Sequence, residues 1–418
     1  MEKNIELEHA VELIRKHAKP VSRIKRLPIT EALNYRLAED LIAPIDNPPF
    51  NRSPLDGFTF NHAGSEAGKK LKIIDCVYAG EAFEGYVKEG EAVRIMTGAP
   101  IPEGCDCVIR LEDCTWDDQE IILPKAMKAY ENYCFKGEDY AAQTVMIHKG
   151  ERLGPVHLGI IASMGIDQIM VYDAVRVGLL VSGSEIVQPG SALGPGKIYD
   201  TNLTLLTSVL ASLGMKPVLA DFVCDEAEAV SAKIKAMMKE CDCIITTGGV
   251  SVGDKDIFHE VVQLLDAEQL FWRGKLKTGT PAMFSMVEGC PLLSLSGNPF
   301  AALVTFDLMG RELLAVMSGN EALVPKRQTA ILKQPFQKRS GNRRFIRAQA
   351  VKGEVMINSD KHSSGMLASM LGCNCLIDIA AGSEGLKAGE TVKIVMLGAG
   401  GTGGHIAPHL YRLLYALD

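Results

Sequence analysis

The chain of 418 residues lacks a basic excess: 44 lysines and arginines against 51 aspartates and glutamates give a formal net charge of −7. Neutralising a nucleic-acid backbone takes clustered cations, so nucleic acid is not an expected partner. Long apolar runs are missing too. No stretch approaches the roughly 18 apolar residues of a membrane span, and the opening MEKNIELEHAVELIRKHA is amphipathic and acidic rather than a secretory leader. The expectation is therefore a cytoplasmic protein with no membrane partner. The eleven cysteines, odd in number and spread along the chain, do not form the pattern of a disulfide framework. Three C-x-C pairs (Cys105/Cys107, Cys241/Cys243, Cys373/Cys375) lie at strand entries, where buried thiols explain them better than metal ligation. Internal repeats and low-complexity runs are absent as well.

What is present is ample core, with 47% hydrophobic and 23% charged residues, enough for two to four domains. Between about residues 172 and 315 the pattern is β-α-β-α-β. VRVGLLVSG reads as a strand, DTNLTLLTSVLASLG as a helix with Asp200 as N-cap and Gly214 as C-cap, KPVLADFV as a strand, DEAEAVSAKIKAMMKE as a helix and CDCIITT as a strand. Continuous apolar strands alternating with helices predict a parallel sheet covered on both faces, with ligands beyond the carboxyl ends of the strands. Four polar loops fall there: SGSEI, the turn at Asp225, TTGGVSVGDKD and SLSGNPF. Elsewhere the chain is β-rich. Short strand-like runs over 50–138 predict a small β domain, about 139–170 a connector with a turn, a strand and a short helix, and residues after Gly319 a C-terminal β domain or barrel. The expected divisions are 1–48 (a helix and connector packing with 139–170), 49–138, 139–170, 171–318, 319–396 and a Gly-rich tail at 397–418.

The loop IITTGGVSVGDKDIF has the glycine spacing of a phosphate-cradling loop, Gly248 to Gly253, but Asp254 stands where a Walker lysine belongs. Gly248, Gly249, Ser251 and Gly253 predict backbone N–H groups arranged for phosphate oxygens. Carboxylates among anions make sense only with a cation or a proton, since two carboxylates about 4 Å apart repel by roughly 4 kcal/mol at an effective dielectric of 20.

Seven segments in order, SPLDGFTF, RIMTGAPIPEGCDCVI, KGEDY, VSGSEIV, YDTN, TTGGVSVGDKD and SGNPFAALVTF, resemble the molybdopterin molybdotransferase family, MoeA in bacteria and the E domain of gephyrin. The resemblance spans roughly residues 1–396. It implies α/β plus β-rich domains, among them a MogA-like parallel α/β sheet domain and a C-terminal β-barrel-like domain. It further implies a homodimer, with the cleft completed by the partner's second or fourth domain. The implied activity is Mg²⁺-dependent transfer of molybdenum from molybdate to adenylylated molybdopterin with release of AMP, in molybdenum cofactor biosynthesis. Cofactor biosynthesis proteins or a recipient apoenzyme are implied partners.

By the same resemblance the catalytic positions are Asp56, Thr97, Asp139, Glu185, Asp225, Asp256 and Lys277, with Asp56, Glu185 and Asp256 as metal ligands. Ser182, Gly183, Ser184, Gly248, Gly249, Ser251, Gly253, Gly297, Asn298 and Pro299 are implied binding positions, and Arg347 and Ser364 match fourth-domain positions that face the partner's cleft. Each has a plainer alternative: Asp56 an Asx-turn, Thr97 a capping hydroxyl, Asp225 and Asp256 helix N-caps, Asp139 and Glu185 solvated loop carboxylates. Lys277 matches the first lysine of a motif usually read KPGKP.

Four positions depart from the pattern. Thr280 replaces the second lysine of KPGKP, Ser296 a proline, Cys134 an arginine and Ser184 an aspartate, so two cationic positions are lost while the carboxylates are mostly retained. That leaves open a non-catalytic molybdopterin-binding or chaperone paralogue. The tail VKIVMLGAGGTGGHIAPHLYRLLYALD holds Gly398, Gly400 and Gly403 in a G-x-G-x-x-G spacing and resembles the opening of the ThiF adenylating enzymes. Without a second strand and a later acidic residue it does not complete a nucleotide fold, so a nucleotide-dependent oxidoreductase is disfavoured. His405 and His409 at i, i+4 are more simply helix residues than a metal pair.

Overall fold

The computed structural model describes residues 1–250, 257–277, 279–358 and 363–397. They divide into two compact units, one from residues 1–23 together with the chain from Asp173 onward, the other from Ile24 to Tyr172.

The first unit is built on a seven-stranded sheet in the order Glu2–Ile5, Glu268–Gly274, Ala282–Val287, Cys290–Leu295, Cys243–Thr247, Val177–Ser182, Pro217–Val223. The last four run parallel, as the apolar runs predict. Alternation of side chains divides each run between two cores: Leu179, Ile245 and Leu293 face one, Leu180, Ile244 and Leu292 the other. Burial on both faces is why these strands read as unbroken apolar sequence, whereas Pro217–Val223, at the sheet edge, alternates partly buried with exposed residues.

Two features depart from the expected sheet. Ala282–Val287 is antiparallel to both neighbours, and the tight turn through Gly289 (φ +85°) that joins it to Cys290–Leu295 explains how. Residues 1–23 also leave their predicted place beside the connector. Glu2–Ile5 pairs in parallel with Glu268–Gly274, and helix Leu7–His17 buries Leu7, Ala10 and Ile14 against the same core as Phe306 and Leu313.

Behind the sheet, helix Asn202–Ser212 starts where Asp200 accepts the Leu203 N–H at 3.2 Å, and the chain leaves it through Gly214 (φ +76°). A helix from Pro299 to Thr305 passes through a π-turn, Phe306–Gly310, into Arg311–Ser318. The chain then closes a five-stranded barrel, Arg327–Leu332, Glu354–Met356, Arg344–Val351, Cys375–Ile379 and Thr391–Met396. Ile346, Ala348, Cys375 and Ile377 fill it, while Phe345, Leu376 and Val395 point outward into the α/β core.

The second unit carries a six-stranded sheet in the order Cys107–Arg110, Gly57–Phe60, Glu91–Ile95, Lys70–Val77, Glu120–Ile122, Thr115–Trp116. The runs 71–77, 91–96, 107–111 and 120–123, which read as strands in the sequence, are strands here within a residue at each end. Beside it are a three-stranded sheet (Ile24–Pro28, Gln168–Tyr172, Arg36–Leu37), a strand pair (Leu41–Ile42, Val145–Ile147) and the helix Pro155–Ser163. Among the described residues no helix is long and apolar enough to cross a membrane. All eleven cysteines are free, and burial pushes Cys107, Cys243 and Cys375 well above the ordinary thiol range.

Candidate functional site

In the first unit the parallel strands end together, and the loops beyond them enclose a cavity of about 370 Å³. Ser182 and Glu185 come from the end of Val177–Ser182, Asp225 from that of Pro217–Val223, Gly248 and Gly249 from Cys243–Thr247, and Ser296 to Pro299 from Cys290–Leu295. Lys277, Thr280 and Ser364 close it from other segments of the unit.

Glycine is forced at this rim. A Cβ on Gly248 (φ +99°) would lie 2.1 Å from the Ser182 carbonyl oxygen, and one on Gly183 would lie 2.5 Å from Ile186 Cδ1. A Cβ on Gly297 would sit 3.4 Å from the Gly248 Cα, an ordinary contact, so glycine is not forced there. The expected oxyanion cradle is not built from Gly248, however, because its N–H donates to the Leu295 carbonyl at 3.3 Å. These glycines serve close backbone approach. Ser251, Gly253, Asp254 and Asp256 lie outside the described residues, as does the tail with Gly398, Gly400, Gly403, His405 and His409.

The polar side chains of the cavity are under-used. Asp225 Oδ1, Ser182 Oγ and Asn202 Oδ1 are each buried without a hydrogen-bond partner among the described residues. An unsatisfied buried polar atom costs about 1–3 kcal/mol, so three around one cavity mark bonding capacity held for a ligand. Asp225 precedes the helix Ala227–Met237, but no capping bond from its side chain occupies it, which removes the plainer reading. Its N–H instead bonds Ser184 Oγ at 3.3 Å.

Asn202 was not singled out from the sequence, although it ends YDTN. Its Nδ2 donates to the Gly297 carbonyl at 2.8 Å and to Thr247 Oγ1 at 3.2 Å, tying two strand-end loops together and leaving Oδ1 for the cavity. A buried amide opening a helix is the signal that would have found it. Lys277, exposed at the rim, has no ion-pair partner among the described residues, and its N–H donates to the Arg343 carbonyl at 2.8 Å. The Thr280 hydroxyl bonds the Leu276 carbonyl, and Ser296 Oγ accepts the Asn298 N–H at 3.3 Å, so both replacements satisfy local backbone instead of adding charge.

Arg347 is placed otherwise than the resemblance implies. Fully buried, it stacks 3.5 Å from the centroid of the Phe300 ring and donates to the carbonyls of Ser363 (2.8 Å) and Met366 and to the Ser369 hydroxyl. Burial without a carboxylate lowers its pKa to about 10. Sharing the outward barrel face with Phe345, it meets the 299–305 helix rather than a solvent cleft, and it fixes the segment whose Ser364 lines this chain's own cavity.

The second unit gathers its motifs separately. Arg52 and Cys134 exchange backbone hydrogen bonds (2.9 and 3.1 Å), as do Ser53 with Ala99 and Gly98 (3.0 and 2.8 Å), so residues 51–56 lie between the 97–101 and 132–139 loops. Asp56 Oδ1 accepts both the N–H and the hydroxyl of Thr97 at 2.7 Å, and those bonds hold its carboxyl below the usual range. Asp139 accepts Asn47 Nδ2 at 2.9 Å. Among the described residues no group of three or more acidic, histidine or cysteine side chains is close enough to hold a metal unaided.

Comparison with known proteins agrees with this arrangement. Residues 5–165 match the model of the MoeA N-terminal region (domain I and II), residues 178–316 the probable molybdopterin binding domain, and residues 329–397 the MoeA C-terminal region (domain IV). The chain belongs to the MoeA family of molybdenum cofactor biosynthesis. It is 32% identical over 376 residues to the molybdopterin molybdenumtransferase of Staphylococcus aureus (strain MSSA476), covering 88% of this chain and 90% of that protein. To that of Staphylococcus epidermidis (strain ATCC 12228 / FDA PCI 1200) it is 30% identical over 400 residues, covering 94% and 95%. The crystal structure of the molybdopterin biosynthesis MoeA protein from Pyrococcus horikosii superposes with a TM-score of 0.82 at 28% identity, covering 94% of this chain and 99% of that one. In the family's terms the cavity lies largely in the probable molybdopterin binding domain, with Ser364 added from the C-terminal region.

Proposed function

We propose that this MoeA-family chain transfers molybdenum from molybdate to adenylylated molybdopterin, with Mg²⁺, and releases AMP. The observation that carries the reading is the cavity beyond the strand ends, where, among the described residues, Asp225, Ser182 and Asn202 keep unpaired buried oxygens beside a Lys277 without an ion-pair partner. Hard oxygen donors suit Mg²⁺, so Asp225 and Glu185 fit the ion, with Asp256 as the resemblance implies. When bound, Mg²⁺ neutralises the charge of phosphate and molybdate oxygens. Lys277 holds a phosphate or molybdate oxygen as a mobile point charge. Asn202 keeps the Gly297 and Thr247 loops at fixed spacing around the pterin, and the Arg347-held segment presents the Ser364 hydroxyl. Asp56, oriented by Thr97, acts as an ionised acceptor, and a homodimer is part of the proposal.

A binding-only reading is favoured by one observation, the neutral hydroxyls of Thr280 and Ser296 where the cavity would otherwise gain charge or rigidity. Incubation with adenylylated molybdopterin, molybdate and Mg²⁺ separates the two. Molybdate-dependent AMP release supports the transferase, and stoichiometric binding without AMP supports the binding module.

A further inference from the structure

Arg94 has no role in the cavity just described, and its surroundings are unusual for an arginine. It lies on Glu91–Ile95 opposite Phe58 in the antiparallel pairing and opposite Cys76 in the parallel one. Paired residues share a sheet face, and Trp116 covers this one: the indole is 5.7 Å from the Phe58 ring and 4.8 Å from the Arg94 guanidinium carbon. The guanidinium is half-buried, its Nε is sealed from solvent with no hydrogen-bond partner, and Arg94 forms no ion pair among the described residues. Asp56 precedes Gly57, which pairs with Ile95, so Asp56 is the diagonal neighbour of Arg94. Among the described residues no hydrogen bond or ion pair joins the two, although the guanidinium charge adds to the Thr97 bonds in holding the Asp56 carboxyl below its usual range.

An arginine fixed on an indole, its sealed Nε out of reach but its two Nη groups unpaired among the described residues, beside a loop that presents a carboxylate and a threonine hydroxyl, offers a fork to a bidentate acceptor. We propose that Arg94 binds a tetrahedral oxyanion at the Asp56–Thr97 loop, with Trp116 as its positioning residue. Because Asp56 is ionised, the oxyanion enters with a cation. The proposal rests on the transferase reading only for the choice between two sources, molybdate and the phosphate of the nucleotide.

The test is titration calorimetry of the full chain with sodium molybdate and, separately, AMP, each with Mg²⁺, for the native protein, Arg94→Gln, Arg94→Lys and Trp116→Leu. Losing a charge-assisted pair of hydrogen bonds predicts at least about tenfold weaker binding in Arg94→Gln for one of the two probes, which names the source. Arg94→Lys should recover about half of that loss on a logarithmic scale, and Trp116→Leu should weaken binding about threefold with the melting temperature nearly unchanged. Native affinity for both probes in Arg94→Gln overturns the proposal. If that variant does not fold, phenylglyoxal labelling of the native protein decides: protection of Arg94 by molybdate or AMP supports oxyanion binding, and equal labelling with and without them refutes it. Neither readout needs turnover, so failure of AMP release counts against the transferase reading alone.

Discussion

The strand-end cavity and the Asp56 loop treat their carboxylates in opposite ways. In the cavity Asp225 keeps an oxygen buried and unpaired, with Ser182 and Asn202 in the same condition. At the loop Asp56 is exposed, and two bonds from Thr97 already hold one of its oxygens. A desolvated, unpaired acceptor gains most when a ligand arrives, whereas a solvated and oriented one gains less. The first region is built to bind, and the second to present a charge in a fixed direction.

The sharpest way to break this contrast is to neutralise each carboxylate in turn. Asp225→Asn should slow AMP release about a hundredfold, roughly 2.7 kcal/mol of transition-state stabilisation, with the fold intact by circular dichroism. Asp56→Asn should slow it about tenfold, because asparagine still accepts the Thr97 bonds and only the charge is lost. A larger effect at Asp56 than at Asp225 would reverse the assignment of roles. Next in size, Thr280→Lys should lower the molybdate concentration for half-maximal rate about threefold at low ionic strength, and added salt should erase the gain. It also breaks the bond to the Leu276 carbonyl, so stability should fall by about 1 kcal/mol. Unchanged molybdate dependence, alongside its loss in Lys277→Ala, would show that position 280 does not face the oxyanion.

The last effect, on stability and not on turnover, belongs to a group outside both regions. Complete burial in the π-turn raises the carboxyl of Asp307 to about 6, against the pull of Arg311 at 3.3 Å. A carboxyl whose folded pKa exceeds its unfolded one binds its proton more readily when folded. Its stabilising contribution is therefore full below the unfolded pKa near 3.9 and is lost as pH rises through about 6. Melting curves of Asp307→Asn should lack that decline between about pH 4 and 6. An identical pH dependence in the native protein and the variant would contradict the shift.

Much of the frame was legible because burial on both faces of a sheet leaves an unbroken apolar run. Val177–Ser182 and Cys243–Thr247 read as buried strands since both faces are covered, and the loops after them were expected to gather. The antiparallel Ala282–Val287 escaped notice because its apolar residues look like those of any buried strand, and direction is set by the Gly289 turn. Residues 1–23 were assigned to the wrong neighbour because the amphipathic stripe of Leu7, Ala10 and Ile14 says that a helix packs, not on what. Within the site, Glu185, Asp225 and Lys277 were anticipated as residues, but the unpaired state of Asp225 and the bracing by Asn202 depend on strands brought together in space. Arg347 was legible as a notable cation. Its burial under Phe300 was not, since it follows from which barrel face meets the helix.

The most direct measurement is a crystal structure of the protein with Mg²⁺ and adenylylated molybdopterin. The account predicts density in the strand-end cavity, with a substrate phosphate beside Lys277 and a cation on Asp225 Oδ1. Substrate bound elsewhere, with Asp225 Oδ1 still unpaired, would contradict it.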